Sequence, residues 1–186
     1  MKKLLIATVL AGFTVSAQAE GWYVQGDLGY SNLEYEGIHV ISDFTQRISA
    51  GYDWGNWRAA IDYTNVGKLG RSVSNEYASA KVSAKITSLG ISTFYNFYTD
   101  KQFTPYIGGR LSYNELKATV SINGRYSATG KGKVKGSVSG VGLLGGVQYE
   151  IHKNIDLNLG IEYNRPLRLS EETHQVGANI GLRYNF

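Results

Sequence analysis

The chain has no cysteine, 2 prolines and 1 methionine, Met1, among its 186 residues. The absence of cysteine excludes disulfide bonds and thiolate metal sites. The apolar stretch at residues 4–15 is too short to cross a bilayer as a helix. What the chain does hold is 14 tyrosines and 23 glycines, a composition that favours a β-barrel over a globular enzyme.

The first 19 residues have the features of a secretory signal peptide. Lys2 and Lys3 precede the apolar stretch, and Ala17-Gln18-Ala19 follows it. We therefore expect cleavage before Glu20, with residues 1–19 as the signal peptide and 20–186 as an outer-membrane β-barrel domain. Loss of the two lysines lowers the formal charge from +4 to +2, so the high pI comes partly from the leader.

The C-terminal segment alternates strictly between apolar and polar residues. Successive side chains of a strand point to opposite faces. The alternation at residues 175–186 therefore predicts a strand with one apolar and one polar face. The same alternation occurs in eight segments, at about 22–30, 44–54, 57–64, 88–97, 105–114, 140–150, 155–164 and 175–186. Eight is an even number, as expected for a bacterial single-chain barrel.

The connections between these segments alternate in length. Those near Gly55, Asp100 and Lys153 are short, whereas those at about 31–43, 65–86, 115–138 and 165–174 are several times longer. Aromatic residues recur near the strand ends on the apolar face, as in the girdles of membrane barrels. The prediction is an all-β fold: an eight-stranded antiparallel transmembrane β-barrel with short periplasmic turns and four longer extracellular loops.

The polar faces of the predicted strands carry acids and bases together. A charge that faces lipid at the midplane of a barrel costs roughly 2–4 kcal/mol for a basic residue, so these side chains should point inward. The interior of an eight-stranded barrel is just wide enough for side chains, and we expect a charge network that plugs the lumen. Its members are Asp27, Arg47, Asp53, Arg58, Asp62, Arg110, Glu150, Asp156, Glu162 and Arg183.

Four segments resemble the opacity-type porin family of Gram-negative outer membranes, which includes the neisserial opacity adhesins and neisserial surface protein A. They are 94–98 (FYNFY), 104–113 (TPYIGGRLSY), 140–149 (GVGLLGGVQY) and 176–186 (VGANIGLRYNF). The resemblance implies insertion into the outer membrane by the barrel-assembly machinery, which reads a terminal strand such as the one that contains Tyr184 and Phe186. It also implies surface loops that contact host molecules.

The third long connection is basic. After Glu115 it contains no acidic residue, and we select Arg125, Lys131, Lys133 and Lys135 as candidate contacts for an acidic polymer. Two interpretations stay open. The cations bind host glycosaminoglycans or other surface receptors, or they neutralise lipopolysaccharide phosphates and outer-membrane lipid beside the barrel.

These features predict a surface protein that presents loops for adhesion, with no enzymatic activity, no cofactor, no metal and no nucleic-acid partner. One alternative is a narrow porin-like channel for small solutes, which would need the lumen network to open. Another is a lipid-modifying outer-membrane enzyme. That enzyme would need a nucleophile and a base on the outer face at membrane depth, and the predicted strands offer no such pair.

Overall fold

In a computed structural model of the protein, eight antiparallel strands form one closed barrel in the order β1 to β8. The structure describes residues 20–35, 38–74, 78–97, 102–124, 130–167 and 173–186, without the side chains of 33–42, 68–84 and 120–131. The strands are β1 (Glu20–Tyr35), β2 (Ile38–Trp54), β3 (Trp57–Ser74), β4 (Ala78–Asn96), β5 (Phe103–Gly124), β6 (Gly130–His152), β7 (Ile155–Pro166) and β8 (His174–Asn185). No helix within these residues is long and apolar enough to cross a membrane.

The barrel closes between the first and the last strand. The register of β1 and β8 runs from Tyr23 opposite Asn185 to Glu34 opposite His174. Within the barrel wall every strand therefore has a hydrogen-bonded neighbour on each side, and closure removes the edges that an open sheet would expose there. The predicted fold class is confirmed. The predicted signal peptide, residues 1–19, lies outside the described residues.

The outward face of the barrel wall is apolar and exposed. Ile48, Ile61, Leu143 and Ile161 are each between 64% and 67% exposed, values that no water-soluble protein would maintain around its whole circumference. On β7 the outward positions run from Ile155 to Tyr163, eight residue steps. At about 3.4 Å per residue and a tilt of about 40°, this spans roughly 20 Å along the barrel axis, close to the apolar band of a membrane barrel.

Aromatic side chains form a belt at the end of the barrel that carries the short connections, which we call the turn end. Edge-to-face or tilted ring pairs follow one another around it. Their centroids are 5.4 Å apart for Trp22 and Tyr52, 5.1 Å for Trp57 and Tyr95, 4.9 Å for Phe103 and Tyr149, and 5.2 Å for Tyr184 and Phe186. Rings with a polar edge favour the headgroup level, so this belt marks one membrane interface.

At the opposite end, which we call the hairpin end, the strands are longer than predicted. The residues expected as long loops are largely strand: β5 and β6 have 22 and 23 residues, whereas about 9–11 suffice to cross a bilayer. We call the protruding part of β3 to β6 the four-stranded extension (residues 66–74, 78–87, 115–124 and 130–139). The alternation of the wall does not continue into the extension, so the sequence pattern did not predict strands there. Beyond the lipid the outward positions are polar and the lumen-side positions apolar: Lys117 lies at an outward position and Leu116 at a lumen-side one.

Candidate functional site

The turn-end half of the lumen is organised by Arg183. This side chain of β8 is 3% exposed, and its Nη2 donates to Asp53 Oδ2 at 2.6 Å. Its Nη1 donates to Gln148 Oε1 at 3.2 Å, and its Nε lies 3.9 Å from Asp156 Oδ2. The guanidinium also lies over the Tyr23 ring, 3.8 Å from the centroid. One arginine thus connects acids from two other strands and is buried with its charge compensated.

The hairpin-end half contains two further arginines and two acids. Arg110 Nε donates to Asp62 Oδ2 at 3.0 Å, and its Nη2 donates to Ser88 Oγ at 3.1 Å. Arg47 Nη2 forms an ion pair with Glu162 Oε2 at 2.5 Å, and its Nε lies 3.8 Å from Asp62 Oδ1. These ion pairs cross the lumen and connect β2, β3, β5 and β7 to one another.

Between the two halves, Arg58 and Asp27 contact neutral groups, and neither forms an ion pair with another described side chain. The guanidinium of Arg58 is 4.3 Å from the Phe94 ring centroid and 4.4 Å from that of Tyr106, two cation–π contacts. Asp27 accepts from Gln25 at 2.8 Å and from Asn158 Nδ2 at 3.1 Å. The cavity that these groups line has a volume of about 30 Å³, room for about one water molecule.

Glycines make room for Tyr106, one of the two buried tyrosines of the lumen. Tyr106 Oη donates to Asn158 Oδ1 at 2.9 Å, and a Cβ built on Gly146 would stand 2.6 Å from that Oη. A Cβ on Gly160 would stand 2.9 Å from the same atom. At Gly146 the Cβ would also overlap the backbone carbonyl oxygen of Leu159, and at Gly160 it would stand 2.7 Å from Asn179 Oδ1, so at both positions a side chain would displace neighbouring atoms.

The structure brings together most of the predicted lumen charges, but not Glu150. Asp27, Asp53, Arg58, Asp62, Arg110, Glu162 and Arg183 are buried, and Arg47 and Asp156 are half-buried. Glu150 is exposed, because it is the last lumen-side position of β6 before the short connection to β7, where the wall ends in water. The network also contains Gln148 and Asn158, which the prediction left out because they are neutral. The alternation of β6 and β7 places both side chains on the lumen face.

The candidate polyanion contacts that the structure describes lie at the hairpin end. Arg125 is outside the described residues, and Lys131 is placed on β6 without a described side chain. Lys133 and Lys135 are exposed at alternate positions of the same strand, on the outward face. Lys117, opposite Lys135 on β5, is also exposed, and its Nζ lies 2.8 Å from Glu115 Oε2. The lysines thus lie on paired strands, whereas the sequence predicted a loop.

The C-terminal strand ends inside the aromatic belt. Tyr184 is outward and lies opposite Val24 of β1, and the Phe186 nitrogen donates to the Trp22 carbonyl oxygen at 3.0 Å. The two terminal aromatics therefore lie on the lipid side of the seam at which the barrel closes.

Comparison with known proteins agrees with this architecture. The family model described as "Opacity family porin protein" matches residues 50–186. The chain belongs to this opacity family. The resemblance seen in the sequence is confirmed, and an outer-membrane location follows, with the hairpin end outside the cell.

Relatives extend over most of the chain. It is 44% identical to an uncharacterised protein of Haemophilus influenzae over 100% of both chains. It is 32% identical to the protein Opa of the same organism, over 73% of this chain and 99% of the relative. Identity to the outer membrane protein P.IIC of Neisseria gonorrhoeae is 29%, over 89% and 88% of the two chains.

Solved structures share the barrel. Neisserial surface protein A superposes with a TM-score of 0.65 at 29% identity, covering 89% of this chain and 97% of that one. Ail, the attachment invasion locus protein of Yersinia pestis, was solved in complex with the heparin analogue sucrose octasulfate. It superposes with a TM-score of 0.62 at 13% identity, over 91% and 100% of the chains, a likeness of fold alone.

Proposed function

We propose that this opacity-family barrel is a surface adhesin whose extracellular hairpins bind acidic polymers. The observation that carries the proposal is the exposure of Lys133 and Lys135 on β6 beyond the lipid band. Lys131 occupies the next alternate position of the same strand, so the three lysines recur about every 7 Å along one edge. A regular row of cations suits a linear polyanion, which offers charges along its length.

The edge position of these lysines supports access by a large ligand. β6 pairs with β7 only as far as Gly140 opposite Pro166, so the lysines lie on a part of β6 that β7 does not cover. Ail is a precedent for a sulfated ligand on this fold, but its identity of 13% transfers no residue. The proposal therefore rests on the lysines of this chain.

Heparin binding tests the proposal. The refolded barrel, in detergent and free of lipopolysaccharide, is titrated with heparin across a salt series, beside a variant with Arg125, Lys131, Lys133 and Lys135 all changed to Gln. We expect binding that weakens with salt and is lost in the variant. A control with the three lysines changed to Arg should bind as the original does. Equal binding by the Gln variant would refute the role of these residues.

We also propose that the lumen is closed to solutes. The buried ion pairs and the central cavity of about 30 Å³ support this, because a hydrated ion needs a continuous path. In planar lipid bilayers the barrel should give no stable conductance steps. Steps that persist in several preparations would favour a narrow channel instead.

The remaining assignments concern biogenesis and chemistry. We assign the protein no enzymatic activity, since the named relatives are opacity and outer-membrane proteins. We propose cleavage of the leader before Glu20, which the mass of the membrane-inserted protein would test. We also propose recognition of Tyr184 and Phe186 by the barrel-assembly machinery, on the basis of their lipid-side position at the closing seam.

A further inference from the structure

Four lysines lie directly opposite one another on four neighbouring strands of the extension. Lys68 of β3 pairs in register with Lys85 of β4, Lys85 with Lys117 of β5, and Lys117 with Lys135 of β6. We call this set the lysine rung. The side chains of Lys85, Lys117 and Lys135 are exposed. Only Lys135 belongs to the candidate polyanion set, so the rung is a separate feature of the barrel.

A β-bulge brings Lys68 into this rung. Tyr63 and Asn65 occupy outward positions of β3, and strict alternation would then place Lys68 on the lumen side. The register shifts between Asn65 and Gly67, so that Lys68 comes opposite the outward Lys85. Gly67 has φ of 112°, and a Cβ there would overlap the Asp43 carboxylate, so this position requires glycine.

The rung lies just beyond the lipid-facing band. Tyr63, Leu89 and Tyr113 form an outward row at the hairpin end of that band, and the lysine rung is four residues farther along β5. Four residues span about 13 Å along a strand and, with a tilt of about 40°, roughly 10 Å along the membrane normal. The headgroup region extends about 5–7 Å beyond the hydrocarbon on each side, within reach of a lysine stem.

The four lysines of the rung repel one another, and bound anions would relieve this repulsion. Neighbouring strands are about 4.8 Å apart, and like charges directly opposite each other destabilise a sheet. Among the described side chains, Glu115 is the acid paired with a rung member, through Lys117 at 2.8 Å. Lys85 and Lys135 have no acidic partner among the described side chains, so these positions hold a surplus of positive charge within reach of the headgroups.

We propose that the lysine rung binds the phosphate groups of phosphorylated lipid headgroups in the outer leaflet. Its outward direction favours the membrane over a soluble polymer, because the rung faces the surrounding leaflet. Lipid binding by the rung and polyanion binding by the distal lysines of β6 are independent of each other.

The test uses bisphosphorylated lipid A added to the full refolded barrel in zwitterionic dodecylphosphocholine micelles, with apparent Kd from NMR titration. Lys85→Gln/Lys117→Gln should weaken binding about fivefold per lysine, hence on the order of 30-fold. Lys85→Arg/Lys117→Arg should retain it, and Lys153→Gln, at the turn end, should leave it unchanged. A heat-modifiability gel verifies that each variant is folded.

Two outcomes would overturn the inference. Unchanged lipid A binding by the Gln double variant would show that the rung does not hold the phosphates. A loss of heparin binding equal to or greater than the loss of lipid A binding would assign the rung to soluble polyanions. Because Lys85 and Lys117 are outside the set changed in the heparin experiment, failure of one proposal leaves the other testable.

Discussion

The Arg110–Asp62 ion pair offers a quantitative test of how the interior stabilises the barrel. The two residues are 5% and 6% exposed, and the guanidinium has neutral hydroxyl partners in Ser88 and Thr64 besides the carboxylate. Asp62→Asn keeps the shape of the side chain and removes its charge. Arg110 is then a buried cation without its principal acid.

The expected cost follows from this burial. At a separation of about 4 Å and an effective dielectric constant of about 20, two unit charges attract by about 4 kcal/mol. Breaking a buried pair by removing one partner costs about 3–5 kcal/mol. Arg47, 3.8 Å from Asp62, loses less because it retains Glu162. We therefore expect Asp62→Asn to lower the free energy of unfolding by about 3–5 kcal/mol.

A double-mutant cycle isolates the pair. Arg110→Met alone should cost a similar amount, whereas the double variant should lie within about 2 kcal/mol of the original, because it leaves no unpaired guanidinium. Urea unfolding from thin phosphatidylcholine vesicles, followed by tryptophan fluorescence, gives the free energies. Glu115→Gln is the exposed control: its partner Lys117 is 49% exposed, so the loss should stay below about 1 kcal/mol.

Additivity would refute the reasoning. If the two single costs sum to the double cost within about 0.5 kcal/mol, the guanidinium and the carboxylate do not stabilise each other. The lumen would then be held by packing and neutral hydrogen bonds, and the interleaved acids and bases would need another explanation.

Two further predictions concern close packing and assembly. Gly146→Ala should destabilise the barrel by about 1–3 kcal/mol in the same urea assay, since its Cβ would meet Tyr106 Oη at 2.6 Å and crowd the Leu159 carbonyl. Gly109→Ala, with no atom within 4 Å of its Cβ, is the matched control and should be neutral. Deletion of Phe186 should reduce the folded protein in cellular outer membranes while refolding into vesicles in vitro persists. Equal loss in both settings would indicate a structural role for this residue.

Much of the barrel wall could be predicted because lipid and lumen impose opposite demands on alternate residues. On β7, Ile155 to Tyr163 alternate with Asp156 to Asn164, and the structure places the first set outward and the second inward. Glu150 shows the limit of prediction from alternation. Alternation tells which face of the sheet a side chain is on, but not where along the strand the barrel wall ends. The extension shows a second limit, since water on both sides removes the demand for an apolar outer face.

Sequence alone determined the number of strands, the face of each wall residue and the position of the aromatic belt, because each depends on a local period of two. The tertiary structure decided which charges meet: Arg183 and Asp53 are 130 residues apart in sequence, and only closure and register bring them to 2.6 Å. It also decided the lysine rung, because a one-residue bulge between Asn65 and Gly67 determines whether Lys68 lies opposite Lys85. Register is a property of strand pairs, and it is set by non-local hydrogen bonds that no single segment encodes.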